Sequence, residues 1–107
     1  MGLLTLKEEV ILSALIMLGG KSGGAQIRKV VIEHTRKEIV YGTLYNLLEN
    51  LIRKGFVITG VGDPVPVQGG RSKTIYKITE EGKSALKETL EMHDNLKKLL
   101  PNLETGF

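Results

Sequence analysis

The chain contains no cysteine and no tryptophan, and aromatic residues make up only 5% of it. Without cysteine there can be no disulfide framework, no thiolate zinc site and no cysteine nucleophile. The longest apolar stretch, residues 10–18, is interrupted by Ser13 and is much shorter than the roughly 20 residues that span a bilayer. Two glutamates precede it, where a secretory signal carries basic residues. We therefore expect a cytoplasmic protein that does not enter a membrane.

Groups that could build an enzyme or a metal site are also scarce. The two histidines, His34 and His93, fall on different predicted helices, and the only aspartates are Asp63 and Asp94. A Ser-His-Asp triad, a carboxylate pair or a zinc cluster needs such groups close together. The sequence predicts no enzyme, no metal site and no cofactor.

The composition that remains is that of one ordinary globular unit. The chain has 107 residues and is 41% hydrophobic and 25% charged, close to soluble averages. Its 15 basic and 12 acidic residues leave a net charge of +3, with a pI of about 9.2. This balance permits an anionic partner without requiring one.

Three helices are predicted first. Thr5 and Glu8 form a capping box, and the helix that it opens should end near Leu18, before Gly19 and Gly20. A second helix follows the glycine-rich turn of residues 19–24. This short helix is predicted to be amphipathic, with Ile27, Val30, Val31 and His34 on one face. A third runs from about residue 40 to 54 and ends at Gly55, and its apolar stripe consists of Leu44, Leu47, Leu48 and Leu51.

Two strands and a long helix complete the pattern. Residues 56–59 and 73–78 have strand composition, and the glycines and prolines between them predict a loop over residues 60–71. Thr79 is a suitable N-cap for a last helix from Glu80 to about Leu100. The fold class is therefore α+β and mostly helical: a winged helix-turn-helix of three helices and a two-stranded β-hairpin wing, followed by a long C-terminal dimerisation helix. Residues 1–79 form the winged-helix DNA-binding domain, and residues 80–107 form the dimerisation helix and tail of the same structural unit.

The geometry of a winged helix predicts a DNA-binding surface. If the third helix buries its leucines, polar groups on its other side can reach a major groove. The candidate contacts of this recognition helix are Tyr41, Gly42, Thr43, Tyr45, Asn46 and Arg53. In the wing, Arg71, Ser72 and Lys73 are the candidates for phosphate or minor-groove contact.

Two of these assignments leave alternatives open. Tyr45 lies at the border of the apolar stripe, so it could pack at the edge of the core instead of touching DNA. Glu49 lies near the proposed DNA side, where phosphate would repel it unless it reads a cytosine amino group or pairs with Arg53. Glu49 and the low net charge favour a rival function, a winged helix used as a protein-interaction module.

Two motifs resemble the PadR family of winged-helix transcriptional regulators. Residues 41–51, with Lys54, Gly55 and Phe56, are similar to the family's recognition helix, and residues 69–82 are similar to its wing strand and the entry to its last helix. The resemblance implies a dimeric regulator, usually a repressor, in which the C-terminal helix packs against the partner and two wings straddle pseudo-palindromic double-stranded DNA. Relatives that sense phenolic compounds use aromatic residues at the dimer interface. This chain has phenylalanine only at positions 56 and 107 and no tryptophan, so no aromatic clamp is predicted, although a small apolar effector remains an alternative.

The length of the last helix also predicts a homodimer. About 20 residues of helix extend roughly 30 Å, comparable to the diameter of a small domain, so part of the apolar face needs a partner. The predicted interface residues are Leu86, Leu90, His93, Leu96 and Leu100.

Overall fold

The computed structural model of the chain describes residues 4–64 and 72–100, without the side chains of residues 62–64 and 72–73. These residues form four helices and three strands. In chain order they are α1 (Leu6–Met17), β1 (Lys21–Gly23), α2 (Gly24–Thr35), α3 (Tyr41–Arg53), β2 (Val57–Pro64), β3 (Ser72–Ile78) and α4 (Glu80–Leu99).

The predicted capping box begins α1. Thr5 Oγ1 accepts a hydrogen bond from the Glu8 amide at 3.1 Å, and the Glu8 carboxylate accepts one from the Thr5 amide at 2.9 Å. The helix is followed by Gly19 and Gly20, whose φ angles of 90° and 94° lie in the region that favours glycine. The chain therefore reverses directly into β1.

Strand β1 was not predicted. The sheet is antiparallel in the order β1-β3-β2, and Lys21 of β1 stands opposite Lys77 of β3. Residues 21–23 lie in a glycine-rich segment with little strand propensity, and a distant strand supplies their pairing. The Ile78 amide also donates to the Gly20 carbonyl at 2.9 Å, so the base of the wing is tied to the end of α1.

The wing hairpin is longer than predicted, because β2 continues past Thr59 to Pro64. Its pairing with β3 runs from Val57 opposite Ile78 to Pro64 opposite Ser72, with a register shift between Val61 and Pro64. Pairing with β3 outweighs the weak strand propensity of Gly60 and Gly62. Residues 60–64, which were predicted to belong to the loop, are therefore part of β2.

The core lies between α1, α2, α3, the base of the sheet and the start of α4. Its largest fully buried side chains are Ile11, Leu12, Leu15, Ile27, Leu44, Leu48, Leu51 and Val57. The buried stripe of α2 ends at Val31, and His34, on the same face one turn later, is exposed. The last turn of α2 lies beyond the packed core.

A buried carboxylate joins α1 to α3. Glu8, only 2% exposed, accepts a hydrogen bond from Lys54 Nζ at 2.7 Å. Burial alone would raise the pKa of Glu8, but hydrogen bonds from Lys54 and Thr5 and the charge of Lys54 outweigh it and hold the pKa below its ordinary value of 4.5. Glu8 is therefore ionised in the folded protein at neutral pH.

A close contact joins the start of α4 to the turn that follows α3. Thr79 Oγ1 donates to the Gly55 carbonyl at 2.7 Å and accepts from the Gly82 amide at 3.0 Å, so one hydroxyl caps α4 and bonds the turn after α3. A Cβ at Gly82 would overlap the Phe56 carbonyl oxygen. We call the junction formed by Glu8, Lys54, Thr79 and Gly82 the seam.

The two halves of α4 differ. Ala85, Leu86 and Thr89 are buried in the first half, and Thr89 Oγ1 donates to the Ala85 carbonyl. From residue 90 onward the helix leaves the core, and its apolar side chains stand exposed: Leu90, Met92, Leu96 and Leu99.

Candidate nucleic-acid interface

The recognition helix α3 has one buried and one exposed side, as predicted. Leu44, Leu48 and Leu51 are fully buried. On the opposite side Gly42, Asn46 and Arg53 are exposed, and Thr43, at the flank, is half-buried. The exposed side carries an amide, a guanidinium and a glycine without a side chain, which is suited to base and phosphate contact at close range.

Arg53 has a partner on its own helix. Its guanidinium donates to Asn50 Oδ1, and not to Glu49 as one alternative required. The planar guanidinium has five N–H donors, so most of them stay available. Glu49 is exposed on the same side and makes no ion pair within residues 4–64 and 72–100.

Three tyrosines form a row beside the exposed side of α3. The rings of Tyr41 and Tyr45, one helical turn apart, stack with centroids 6.0 Å apart. The ring of Tyr45 in turn lies 6.4 Å from that of Tyr76 on β3. We call Tyr41, Tyr45 and Tyr76 the tyrosine row. It links the recognition helix to a strand of the wing.

The surroundings of Tyr45 combine close packing with exposure to solvent. Tyr45 is 42% exposed as a residue, yet its ring lies between Tyr41, Tyr76 and the start of α2. A Cβ at Gly24 would lie 2.9 Å from the Tyr45 hydroxyl, so α2 approaches the ring closely. Tyr45 is therefore both packed and accessible.

Tyr76 is less exposed than Tyr45. It is half-buried and packs against the core. Burial raises the pKa of Tyr76 above its ordinary value of 10.0, and nearby Tyr45 and Glu49 act in the same direction. Its hydroxyl therefore stays protonated at neutral pH.

Arg28 of α2 fixes the start of α3. Its Nε donates to the Ile39 carbonyl at 2.6 Å, and its guanidinium carbon lies 4.7 Å from the centre of the Tyr41 ring. This cation–π arrangement extends the tyrosine row onto a second helix. Sequence reasoning did not single out Arg28, because its two contacts depend on the path of the chain between α2 and α3.

Sequence reasoning also missed the tyrosine row, since it looked for tryptophan and phenylalanine. A signal was present for two of its three members: Tyr41 and Tyr45 are four residues apart on a helix, a spacing that brings side chains into contact. The position of Tyr76 depends on strand packing and has no local signal.

The wing candidates are only partly described. Ser72 and Lys73 begin β3, where Ser72 pairs with Pro64. Arg71 and the side chains of Ser72 and Lys73 lie outside the described residues. Their DNA contacts stay a prediction.

The predicted dimer residues differ in how much surface they offer to a partner. Leu90, Leu96 and Leu100 are 45–47% exposed. His93 is half-exposed, and its Nε2 lies 3.0 Å from Glu9 Oε2 on α1. The placement of Leu86 corrects the prediction: this side chain is buried in the protein's own core and has little surface left for a partner.

The described residues offer neither a metal site nor a membrane span. In residues 4–64 and 72–100, no group of three or more histidine or acidic side chains could hold a metal ion. Among the described helices, none is long and apolar enough to cross a membrane.

The three-helix core, the polar outer side of α3 and the adjacent hairpin wing define a winged-helix fold, the architecture of many DNA-binding regulators. A family model described as the transcriptional regulator PadR-like family matches residues 11–88. The chain belongs to that family, as the resemblance of its two motifs implied.

Solved structures agree with this assignment. The chain is 26% identical to a transcriptional regulator from Clostridium thermocellum, with 90% of each chain covered and a TM-score of 0.69. It is 24% identical to a PadR-like transcription factor from Bacteroides fragilis, with 91% and 93% covered and a TM-score of 0.67. It is 17% identical to an organohalide-sensing regulator solved with 2,4-dichlorophenol, with 94% of this chain and 53% of that chain covered and a TM-score of 0.64. The last two show the fold alone, and no curated protein matches the chain.

Proposed function

We propose that this regulator is a cytoplasmic, dimeric, sequence-specific repressor that binds a pseudo-palindromic operator. The observation that carries the proposal is the two-sided α3, which buries Leu44, Leu48 and Leu51 and exposes Gly42, Asn46 and Arg53 beside the wing. A repressor of this kind acts by occupying its operator and needs no catalytic group.

Within this function the residues have separate tasks. The Asn46 amide reads a base edge, because asparagine can form paired hydrogen bonds with adenine. Arg53 and the hydroxyls of Tyr41, Thr43 and Tyr45 contact the phosphate backbone, and Gly42 lets the start of α3 approach it closely. Arg71, Ser72 and Lys73 extend the contact through the wing.

Binding to genomic DNA around the protein's own coding locus tests this function. We expect a discrete band in a gel shift that survives nonspecific competitor at two salt concentrations. Only competitor-sensitive, strongly salt-dependent binding would contradict it. Glu49 near the groove side and the net charge of +3 would then favour a protein-interaction module.

Dimerisation rests on the second half of α4. Leu90, Leu96 and Leu100 are exposed on a helix that extends beyond the core, and a second copy would cover them. Binding to two half-sites requires the dimer to hold its two recognition helices one DNA turn apart, about 34–36 Å.

The change Leu96→Glu tests the dimer. We expect it to convert a dimer into a monomer at micromolar concentration, because it would place a carboxylate in an apolar interface. Sedimentation velocity gives the mass directly. The matched control is Ser84→Glu, which adds the same charge to an exposed position in the first half of α4 and should remain dimeric. A wild-type protein that sediments as a monomer would refute the dimer.

A small apolar effector is a second, subordinate proposal. Its support is the organohalide-sensing neighbour, which was solved with 2,4-dichlorophenol bound. In this chain the apolar side chains of α4 would line such a site between two copies. Adding 2,4-dichlorophenol to the gel shift tests this compound class: a change in affinity supports sensing, and unchanged affinity at millimolar compound contradicts it for chlorophenols.

A further inference from the structure

The tyrosine row connects the two parts of the molecule that are proposed to touch DNA. Tyr41 and Tyr45 belong to the recognition helix, whereas Tyr76 belongs to β3, the strand that begins at Ser72 and Lys73 in the wing. Tyr76 stands opposite Thr59 of β2 and Ser22 of β1. It is thus fixed in the middle of the sheet while its ring meets the ring of Tyr45.

The orientation of Tyr45 is set from several directions. Tyr41 lies on one side, Tyr76 on another, and the backbone at Gly24 closes a third. Tyr41 in turn lies against the guanidinium of Arg28. Movement of the wing strand would displace Tyr76 and remove one of these constraints. The relative position of α3 and the wing therefore depends on a row of aromatic contacts.

We propose that Tyr76 is a positioning residue for DNA recognition, which acts through Tyr45 to hold the recognition helix and the wing in one relative orientation. This role rests on the proposed DNA-binding function. Because two binding elements held at the correct spacing bind more tightly than two loosely connected ones, loss of the contact lowers affinity for the operator without removing any group that touches it.

Tyr76→Leu and Tyr76→Phe test the proposal. Leucine keeps apolar bulk but removes the ring, whereas phenylalanine keeps the ring and removes only the hydroxyl. An aromatic pair of this type corresponds to a change of about threefold to tenfold in an equilibrium constant. We expect Tyr76→Leu to weaken binding to specific DNA by that factor and Tyr76→Phe to retain wild-type affinity.

The probe is the duplex that the wild-type protein enriches from a random-sequence library. The matched control is Ile75→Ala, which truncates an apolar side chain on the neighbouring position of β3, directed to the other side of the sheet. It should leave the ratio of specific to nonspecific affinity unchanged, whereas Tyr76→Leu should reduce that ratio. Thermal melts of Tyr76→Leu and Ile75→Ala show whether partial unfolding contributes to any loss of DNA affinity.

A double-mutant cycle shows whether Tyr76 acts through Tyr45. If it does, Tyr45→Leu combined with Tyr76→Leu weakens binding no more than the stronger of the two single changes. Losses that multiply would overturn the proposal, since they would indicate independent contacts. Tyr45→Leu also serves as a second test if Tyr76→Leu fails to fold, because Tyr45 is partly exposed. We then expect Tyr45→Leu to lower the ratio of specific to nonspecific affinity. An unchanged ratio would overturn the proposal.

The chain offers a direct optical readout of the row. Its three tyrosines all belong to the row, and it has no tryptophan, so tyrosine fluorescence and the tyrosine bands in near-ultraviolet circular dichroism report on this row. Equal operator affinity of Tyr76→Leu and wild type would overturn the positioning role while DNA binding stands. A library in which wild-type protein enriches no duplex would overturn the proposed function and the positioning role together, even with the row intact.

Discussion

Polar groups at the seam and on the outer side of α3 are arranged in opposite ways. At the seam, the Glu8 carboxylate and the Thr79 hydroxyl each bond to other groups of the same chain, and the backbone passes Gly82 too closely for any side chain. On α3, Asn46 and Gly42 face solvent. Groups satisfied within the chain contribute to stability, whereas groups left free are available to a partner. Changes at the seam should therefore reduce stability, and changes on α3 should reduce DNA binding alone.

The largest effect is expected for Gly82→Ala. The added methyl group would overlap the Phe56 carbonyl and press against Ile78, and we expect it to lower the free energy of unfolding by about 3 kcal/mol. Chemical denaturation measures this value. Gly42→Ala is the matched control, because a Cβ at Gly42 meets nothing within 4 Å. Alanine favours a helix at both positions, so Gly42→Ala should cause no loss of stability. A Gly82→Ala protein as stable as wild type would contradict the close contact at the seam.

Glu8→Gln should lower the free energy of unfolding by a smaller amount, about 2 kcal/mol at neutral pH, because it removes the charged group that accepts a hydrogen bond from Lys54. The pKa of Glu8 is lower in the folded than in the unfolded protein. The carboxylate therefore contributes stability that is fully present above about pH 4.5 and is lost as the pH falls through its lower folded value. The difference in free energy of unfolding between wild type and Glu8→Gln should therefore shrink as the pH falls below about 4.5.

Denaturation curves between pH 3 and pH 7 follow this difference. Glu91→Gln, at an exposed position on α4, serves as the control and should show no comparable pH dependence. A stability gap for Glu8→Gln that stays constant down to pH 3 would exclude an ionised Glu8 as its source.

The smallest effect on stability is expected for Asn46→Ala on the outer side of α3. We expect an unchanged free energy of unfolding and a loss of about 1–2 kcal/mol in binding to specific DNA, because one base contact is removed. Nonspecific binding should change less. Lys73→Ala is the informative comparison, since loss of a phosphate contact should weaken both kinds of binding and flatten the salt dependence. Equal losses for Asn46→Ala in both assays would refute its reading of a base.

Local signals predicted the helices and the residues that they bury. Thr5 with Glu8, Gly55 and Thr79 mark helix ends that are observed at or beside these residues, because caps and stops act within one turn of helix. The leucine stripe of α3 is buried as predicted, with Leu47 only partly covered. This stripe also determined which side chains face outward.

Features that depend on distant parts of the chain were missed or misjudged. β1 forms only because β3 pairs with it, and Tyr76 meets Tyr45 only when the sheet packs against α3. Leu86 carries the same apolar signal as Leu90, yet the core covers one and not the other. Periodicity gives the face of a helix but not the point at which the helix leaves its neighbours.

The central position of β3 has a consequence for the order of folding. Lys21 and Lys77 are direct neighbours in the sheet, although about half of the chain separates them, and closing so long a loop costs entropy before any contact compensates for it. During synthesis, α1, α2 and α3 emerge well before the strand that joins β1 to β2. The three-stranded sheet can therefore form only after residues 72–78 have been made, because β1 and β2 each pair with β3 and not with each other.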